Sequence, residues 1–567
     1  MAKIFKQNLV LIVILFLATF LRVYNLNSAP PELFGDELDV GYQAYSVLKT
    51  GKDLQGNPLP TYFQSLTEAR APLFLYSAVS FVGIFGLNES GDRLTAAFWG
   101  IFGILAIYLL TKKLFNSEIL SFVSCLFLTI SPWHLQYSRG GFEVTLLLSL
   151  LIFATHFFLE GLEKPKFLIP AAIFFALTPY AYSTGALFLP IFGLSLIVIF
   201  WKKVKGLFAN NSARIAVLIF ILILIPFVKI FFAGAATERF QAISVTLNPA
   251  IEKNVNEGRR LDKSFGAFFH NKPLSFLFET SRNYLWAFSP QFLFIDGDPN
   301  GRHSVGQMGE FYWFFLPLLL IGVYTLLRDK STSFQTKSMI FSWLILAPVP
   351  TSLTHLGTGH ATRLFLLLPP LIIFGAVGAK EILNNFSKSK VKILVVLIIT
   401  IVGIFNLMTY FHRYYFHYPV ESWRWWQVGY KEGMSFIAQN QNNYEKILIN
   451  NTYEPALIRF LFYTKYDPAK FHQEFGDDKP QKQILPGFDG FSLENKFFFG
   501  TKTINFDQIL DSKTLYLASH RDETSQTQDF RKSPPAGVKV LKTITNPFDE
   551  PIFYLLTGIS QETNKNL

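Results

Sequence analysis

Apolar runs recur along the chain from its start to about Tyr410 and then stop. We read eleven of them as membrane spans: Leu9–Tyr24, Leu94–Leu110, Ile119–Trp133, Val144–Leu159, Phe167–Tyr182, Leu187–Trp201, Ala213–Phe232, Phe311–Leu327, Ser338–Leu353, Leu364–Ala379 and Val391–Tyr410. Several fall short of the roughly 20 residues that cross a bilayer comfortably. One such run alone would equally describe a buried core helix. Eleven in series, with charges gathered in the gaps, describe a polytopic α-helical membrane protein. Composition agrees: of 567 residues, 50% are apolar and only 16% charged, against about 25% charged in a soluble protein. Too few polar residues are left to cover a soluble surface. The apolar content excludes a disordered chain, and the single Cys125 excludes an intramolecular disulfide and a multi-cysteine zinc site.

The formal charge of +11 is explained by position. One set of gaps carries Lys3, Lys6, Lys112, Lys113, Lys164, Lys166, Lys202, Lys203, Lys205, Arg214, Arg328, Lys330, Lys337, Lys380, Lys388, Lys390 and Lys392. The short gaps of the alternate set carry only Arg139 and Arg363. The positive-inside rule then puts the N-terminus in the cytoplasm, and an odd number of spans puts the C-terminus outside. No nucleic-acid partner is needed. The first span also has the basic start and apolar core of a signal peptide, but no clean small-residue cleavage site follows it. The expected location is the cell (plasma or inner) membrane.

Two domains follow: a membrane domain over 1–410, with long outward segments 25–93 and 233–310, and an exoplasmic soluble domain over 411–567. The latter reads as α/β. Lys446–Asn450, Phe497–Phe499, Thr514–Ala518 and Val538–Thr543 are strand-like, and Glu454–Tyr463 is helix-like.

Ionisable groups are scarce inside the spans and gather at their outward ends, which suggests a reaction at the membrane surface more than passage through it. The first cluster is Gly35-Asp36-Glu37-Leu38-Asp39. Leu38, Tyr42, Tyr45 and Leu48 then follow a helical period, with Gly51 as its stop, and predict an amphipathic helix on the membrane. Asp36 is either the N-cap of that helix or a general base over the lipid surface. The second cluster is Glu68-Ala69-Arg70-Ala71-Pro72-Leu73, with Arg93 beyond it. These arginines are either interfacial anchors or ligands of a lipid phosphate. The third, Ser131–Glu143, holds His134, Arg139 and Glu143. It suits stacking on a sugar, an ordinary aromatic belt, or a simple Arg139–Glu143 pair. In the fourth, His355–Arg363, His355 and His360 are five apart with no third ligand evident, so no residue is assigned to a metal. Arg363 is the better candidate there, for a phosphate. The fifth, Ser289–Gly309, with Asp296, Asp298, Arg302 and His303, reads as a mobile loop or lid, or as a plain solvated loop.

Taken in order, four features resemble the GT-C membrane glycosyltransferases, in the branch of bacterial protein O-mannosyltransferases, lipid A aminoarabinose transferases and dolichyl-phosphate-mannose-type enzymes. They are Asp36-Glu37 after the first span, Arg70-Ala71-Pro72-Leu73, Arg93-Leu94-Thr95-Ala96-Ala97 leading to Lys112-Lys113-Leu114-Phe115, and Arg363-Leu364-Phe365 through Pro369. The resemblance covers roughly Leu9 to Ala379. It implies a polyprenyl-phosphate-linked hexosyl or pentosyl donor, an acceptor hydroxyl on a protein, lipid or glycan, and inversion at the anomeric carbon. It also implies Asp36, with Glu37, as the catalytic acidic pair. Arg70, with Arg93 or Arg363, would hold the donor phosphate, and His134, Arg139, Glu143 and His360 would be substrate or supporting residues. No cofactor is required. A divalent cation on Asp36 and Glu37 stays open, because arginine alone can stabilise a monophosphate leaving group. Relatives often carry a second acidic residue between spans three and four; here that loop has no Asp, and only Glu143 could serve. The 233–310 segment is too short for the lectin-like insertion of the eukaryotic mannosyltransferases. Two other readings are open: a transporter or flippase of lipid-linked saccharides, and a non-enzymatic membrane scaffold.

Overall fold

A computed structural model describes residues 2–66, 69–234, 237, 243–262, 264–355, 357–385, 390–524 and 528–559. Glu68, Leu356 and Lys388, named above, lie outside the described residues. Every apolar run forms helix, but the expected count of eleven spans is not met by length. Among the described residues five helices are long and apolar enough to cross a membrane, or seven if each of two bent pairs is one span. The shortfall comes partly from breaks and partly from apolar helices of 10–17 residues, such as Asn8–Val23 and Phe315–Arg328. The third run is helix Glu118–Ile130, bent by 58° into Pro132–Arg139, and the sixth, Ser183–Ile199, turns by 90° into Trp201–Leu207. Pro132 stands at the first bend, and a proline cannot carry its share of the helical ladder. The chain is thus a multi-pass membrane protein with interrupted helices.

Glycines bring two helices, Phe315–Arg328 and Leu368–Asn385, into backbone contact. A Cβ at Gly322 would lie 1.8 Å from the Phe374 carbonyl oxygen, and one at Gly378 would lie 1.9 Å from that of Leu318. Packing of small residues replaces the hydrophobic effect, which gives helices no reason to associate in lipid.

The first long segment between apolar runs is folded. We label its helix Gly35–Thr50 α1, its strands Phe63–Gln64 and Ala69–Arg70 β1 and β2, and the following helix Pro72–Phe85 α2. Gly51 ends α1 in the left-handed region (φ 71°), as its sequence predicts. The expected membrane-surface helix is, however, a core helix: Glu37 to Ala44 are buried. Helix Ala456–Tyr463 of the C-terminal domain covers it, so closely that a Cβ at Gly41 would lie 2.6 Å from the Phe462 ring. The Tyr42 hydroxyl donates to the Tyr466 carbonyl (2.9 Å), and His472 Nε2 meets the Asp53 carbonyl (2.8 Å). The half-buried Glu32 carboxylate accepts from the Gly429 and Lys431 N–H groups at 3.0 and 3.2 Å. Burial pushes the Glu32 carboxyl up to about 7.

The C-terminal segment carries helices and a seven-stranded sheet. Its strands are β3 (Lys446–Asn450), β4 (Gln481–Leu485), β5 (Phe488–Leu493), β6 (Phe497–Lys502), β7 (Thr514–Ser519), β8 (Val538–Thr545) and β9 (Pro551–Gly558). They form one sheet in the order β4-β5-β6-β3-β7-β9-β8. β6, β3 and β7 are mutually parallel, and the outer strands are antiparallel. Ile447 and Ile449 pack on the face covered by helix Ala456–Tyr463. Leu448 packs on the other face with Phe506 and Leu510. A period of two thus serves both covered faces.

Candidate active site

Asp36 stands in the first turn of α1, but it is not the N-cap. The helix starts at Gly35 behind Phe34, and the Phe34 N–H is capped by Glu37 Oε2 at 3.2 Å. The Asp36 side chain is left 46% exposed, and its Oδ1 receives Arg70 Nη2 at 2.8 Å. Arg70 is placed by the β1–β2 pairing, in which it lies opposite Phe63, and by Pro72 at the start of α2. Its guanidinium is nearly buried and gathers three carboxylates: Asp36, Asp39 Oδ2 (2.6 Å from Nε) and Glu143 Oε1 (3.6 Å from Nη1). Asp39 is in turn fixed by the Ser65 hydroxyl at 2.8 Å.

Asp36, Arg70 and Glu143 open onto a cavity of about 290 Å³, whose far wall carries Arg302, His303, His360 and Arg363. Arg302 lies over the Phe34 ring (4.9 Å), and Arg363 Nη1 donates to the Thr354 hydroxyl (2.9 Å). The cavity therefore combines an accessible carboxylate with three guanidiniums from distant parts of the chain.

Glu37 is placed differently from the expectation of a second catalytic carboxylate. It is fully buried and bound to Arg93 Nε and the Gly141 N–H, at 2.9 and 2.8 Å. Arg93, expected at a donor phosphate, has its donors committed. Besides Glu37 it binds the carbonyls of Leu26, Pro30 and Glu32 (2.9, 2.8 and 2.7 Å) and lies against Trp426. Neither lines the cavity; together they hold the loop that carries Asp36. Arg139 does the same work one layer deeper, donating to the Leu21 and Ala29 carbonyls (2.6 and 2.7 Å) and stacking on Tyr414. Glu143 faces Arg70. His134 is buried against Phe365, with Nδ1 2.7 Å from Arg22 Nη2, and is likewise away from the cavity.

The loop read as a mobile lid is anchored. Asp298 is buried; its Oδ1 accepts from the Asn300 N–H (2.9 Å) and its Oδ2 from the Ala361 N–H (2.8 Å). The same Oδ2 lies 2.8 Å from His303 Nδ1. Beneath it, Glu310 accepts from the Asp298 N–H (3.1 Å), and burial beside Asp298 raises the Glu310 carboxyl well above the usual range. Asp298, His303 and His360 bring their ligand atoms within 4.8 Å of one another. One carboxylate and two imidazoles suit a first-row divalent cation. Residue spacing along the chain hid this triad, because the missing third ligand of His360 lies some sixty residues upstream.

Residues 69–230 match the model of the dolichyl-phosphate-mannose-protein mannosyltransferase family. No curated protein matches the chain in sequence. Among solved structures, ArnT from Cupriavidus metallidurans superposes with a TM-score of 0.51 at 11% identity, over 99% of this chain and 98% of that one. The archaeal oligosaccharyltransferase AglB from Archaeoglobus fulgidus gives 0.50 at 13% identity, over 82% of this chain. The match spans 64% of AglB's own length. The matched segment, which includes Arg70, Arg93 and the loop to Glu143, is similar to that family, and the chain shares the fold of ArnT and AglB.

Proposed function

We propose that the protein transfers a sugar from a polyprenyl-phosphate donor to an acceptor hydroxyl, with inversion, at the exoplasmic face of the cell membrane. The observation that carries this reading is the exposed Asp36 carboxylate in one cavity with Arg70, Arg302 and Arg363. Two structures of the same fold support the donor class. The AglB structure holds a dolichol-phosphate and an inhibitory peptide, and the ArnT structure holds undecaprenyl phosphate.

In this reading Asp36 takes the proton of the acceptor hydroxyl, whose oxygen attacks the anomeric carbon. The bond from that carbon to the phosphate oxygen breaks, and the polyprenyl phosphate leaves with the electron pair. Its charge is met by the guanidiniums of the cavity wall. Arg70 has two jobs: it aims Asp36, and it brings a guanidinium to the cavity wall for phosphate. Glu37 and Arg93 act as positioning residues. If a divalent cation binds, Asp298, His303 and His360 would hold it, and it would supply further positive charge at the cavity wall. The acidic segment and the C-terminal domain would face the exoplasm, with the N-terminus cytoplasmic.

The test is release of polyprenyl phosphate from an undecaprenyl-phosphate-linked hexose by the purified protein in detergent. Wild type should release it only with an acceptor or water present, and Asp36→Asn should not. Movement of intact donor between leaflets without cleavage would overturn the reading in favour of a flippase. Equal release by Asp36→Asn and wild type would remove Asp36 as the base, and no release by either would leave only the scaffold.

A further inference from the structure

The C-terminal sheet contains a second cavity, of about 790 Å³, remote in sequence from the first. Its position follows from topology. From β3 the chain returns to the parallel sheet at β6, on one side of β3, and then crosses to β7 on the other. Helix Ala456–Tyr463, which follows β3, covers one face; the short helix Phe506–Ile509, which joins β6 to β7, covers the other. The order of the parallel strands therefore reverses between β3 and β7. In an open α/β sheet the crevice outside the carboxyl ends of strands at such a reversal is where ligands bind. The cavity is there: Tyr453 comes just after β3, and Ser519, His520 and Arg521 come at the end of β7.

Its chemistry is specific. Arg521 lies over the Tyr453 ring at 5.6 Å and Arg424 over the Trp423 ring at 5.1 Å, so each guanidinium has an aromatic neighbour. Arg424 acts electrostatically on Tyr453 as Arg521 does, which puts both cations in one neighbourhood. Among the described residues Arg424 makes no ion pair, and the nearest carboxylate oxygen to Arg521, from Asp522, is 3.9 Å away, beyond hydrogen-bond reach. The two carboxylates in the lining are already engaged: Asp529 by Arg531 (2.9 Å) and Glu550 by the Asn546 amide (2.7 Å). What faces the space is a pair of uncommitted guanidiniums with aromatic and hydroxyl groups around them. Arginine binds carboxylate and phosphate bidentately, and a cavity of this size fits a small molecule.

We infer that this crevice is a binding site for an anionic saccharide, gripped at its carboxylate or phosphate by Arg424 and Arg521. On the function proposed above, with which only this clause stands or falls, it is where a sugar-bearing acceptor rests while its hydroxyl reaches Asp36.

The test is calorimetric titration of the full-length protein in detergent with trigalacturonate, glucose 6-phosphate, maltotriose and inorganic phosphate. At least one charged sugar should bind saturably, at least tenfold more tightly than maltotriose and inorganic phosphate; which one binds tells carboxylate from phosphate. Arg521→Gln and the Arg424→Gln/Arg521→Gln double variant should weaken it at least tenfold. Both side chains are exposed, so the melting temperature should not move. Asp36→Asn should bind as wild type does, which separates this site from the transfer reaction. Absence of saturable binding to wild type would overturn the inference. So would maltotriose or inorganic phosphate binding as tightly as the charged sugar, or a double variant that binds normally.

Discussion

Replacing Glu37 by Gln should unfold the protein more readily than replacing its neighbour Asp36 by Asn, while the effect on turnover has a different cause. Glu37 is fully buried, and its two oxygens serve Arg93, the Gly141 N–H and the Phe34 N–H. Gln keeps the shape but removes the charge, and its amide can accept through one atom only. With the oxygen kept at the Oε1 position, the Phe34 N–H and Arg93 Nη2 both face an NH₂ group. Breaking a buried ion pair costs about 3–5 kcal/mol because the surviving charge is left uncompensated. The three carbonyls already bound to Arg93 place the expected loss at the lower end of that range. Asp36 is different. Its side chain is 46% exposed, and Arg70 keeps Asp39 and Glu143 if Asp36 is lost. An ion pair in that setting is worth about 0–1 kcal/mol. A general base, however, contributes about 10²–10⁴ in rate, or roughly 3–5 kcal/mol of barrier. Thermal melting in one detergent, beside donor-cleavage kinetics, reads both. Asp36→Asn should melt with wild type and be nearly inactive. Glu37→Gln should melt early and recover part of its activity at low temperature. Equal destabilisation by the two variants would refute the division between a reacting and a positioning carboxylate, as would a Glu37→Gln variant that is both stable and active.

Arg70→Ala should remove the cation shared by Asp36, Asp39 and Glu143 and abolish turnover, and Arg70→Lys should rescue little of it, because a point charge cannot bridge three carboxylates; kcat and KM of both variants check this. Glu32 has a carboxyl raised in the folded state to about 7 from an ordinary 4.5. The native state therefore holds an extra proton between those values, and this group's contribution to stability falls as pH rises through that window. Melting curves of Glu32→Gln against wild type should show a variant that gains relative stability between pH 5 and pH 8, and a constant difference would contradict the assignment. His303→Ala should lower the divalent metal retained after purification in zinc-supplemented buffer, read by elemental analysis; equal retention would exclude the Asp298–His303–His360 triad as its site. Gly378→Leu should separate helices Phe315–Arg328 and Leu368–Asn385, because a side chain there meets the Leu318 carbonyl; a melting temperature equal to wild type would contradict that packing.

The apolar runs were legible as helices because each is longer than a strand and ends in charge or proline. Their number as spans was not, because bends at Pro132 and at Phe200–Trp201 depend on packing that a hydrophobicity pattern does not encode. In the C-terminal segment β3, β6, β7 and β8 were readable from β-branched and aromatic runs, with Ile447, Phe498, Tyr516 and Val540 among them. The β4–β5 hairpin was missed because Gln481-Lys482-Gln483 is an exposed, polar edge. The helix of residues 35–50 was readable, but its burial was not. Its outer face is covered by a helix more than four hundred residues later, and the only local sign of that contact is Gly41.

The arginines show most clearly where sequence stops being informative. Arg22, Arg70, Arg93, Arg139 and Arg363 all sit at the ends of apolar runs, where an interfacial anchor and a phosphate ligand look alike. Position cannot separate them, because both roles need a cation at the membrane surface. Donor accounting can. A buried guanidinium must satisfy its N–H groups, and one surrounded by backbone carbonyls has no capacity left for a substrate. Arg93 and Arg139 are of that kind, each holding carbonyls of residues 21–32, and so they build the loop that presents Asp36. Arg70 is bound to carboxylates instead. A phosphate can share such a guanidinium only by competing with anions, so substrate arrival and release of Asp36 are coupled through one side chain. That coupling predicts that orthovanadate or phosphate, added at concentrations that occupy the cavity, should raise the reactivity of Asp36 toward a carbodiimide in wild type and not in Arg70→Ala. Protection of Asp36 in wild type would instead mean that the anion seats on the opposite wall, at Arg302 and Arg363, and leaves the Asp36–Arg70 pair closed.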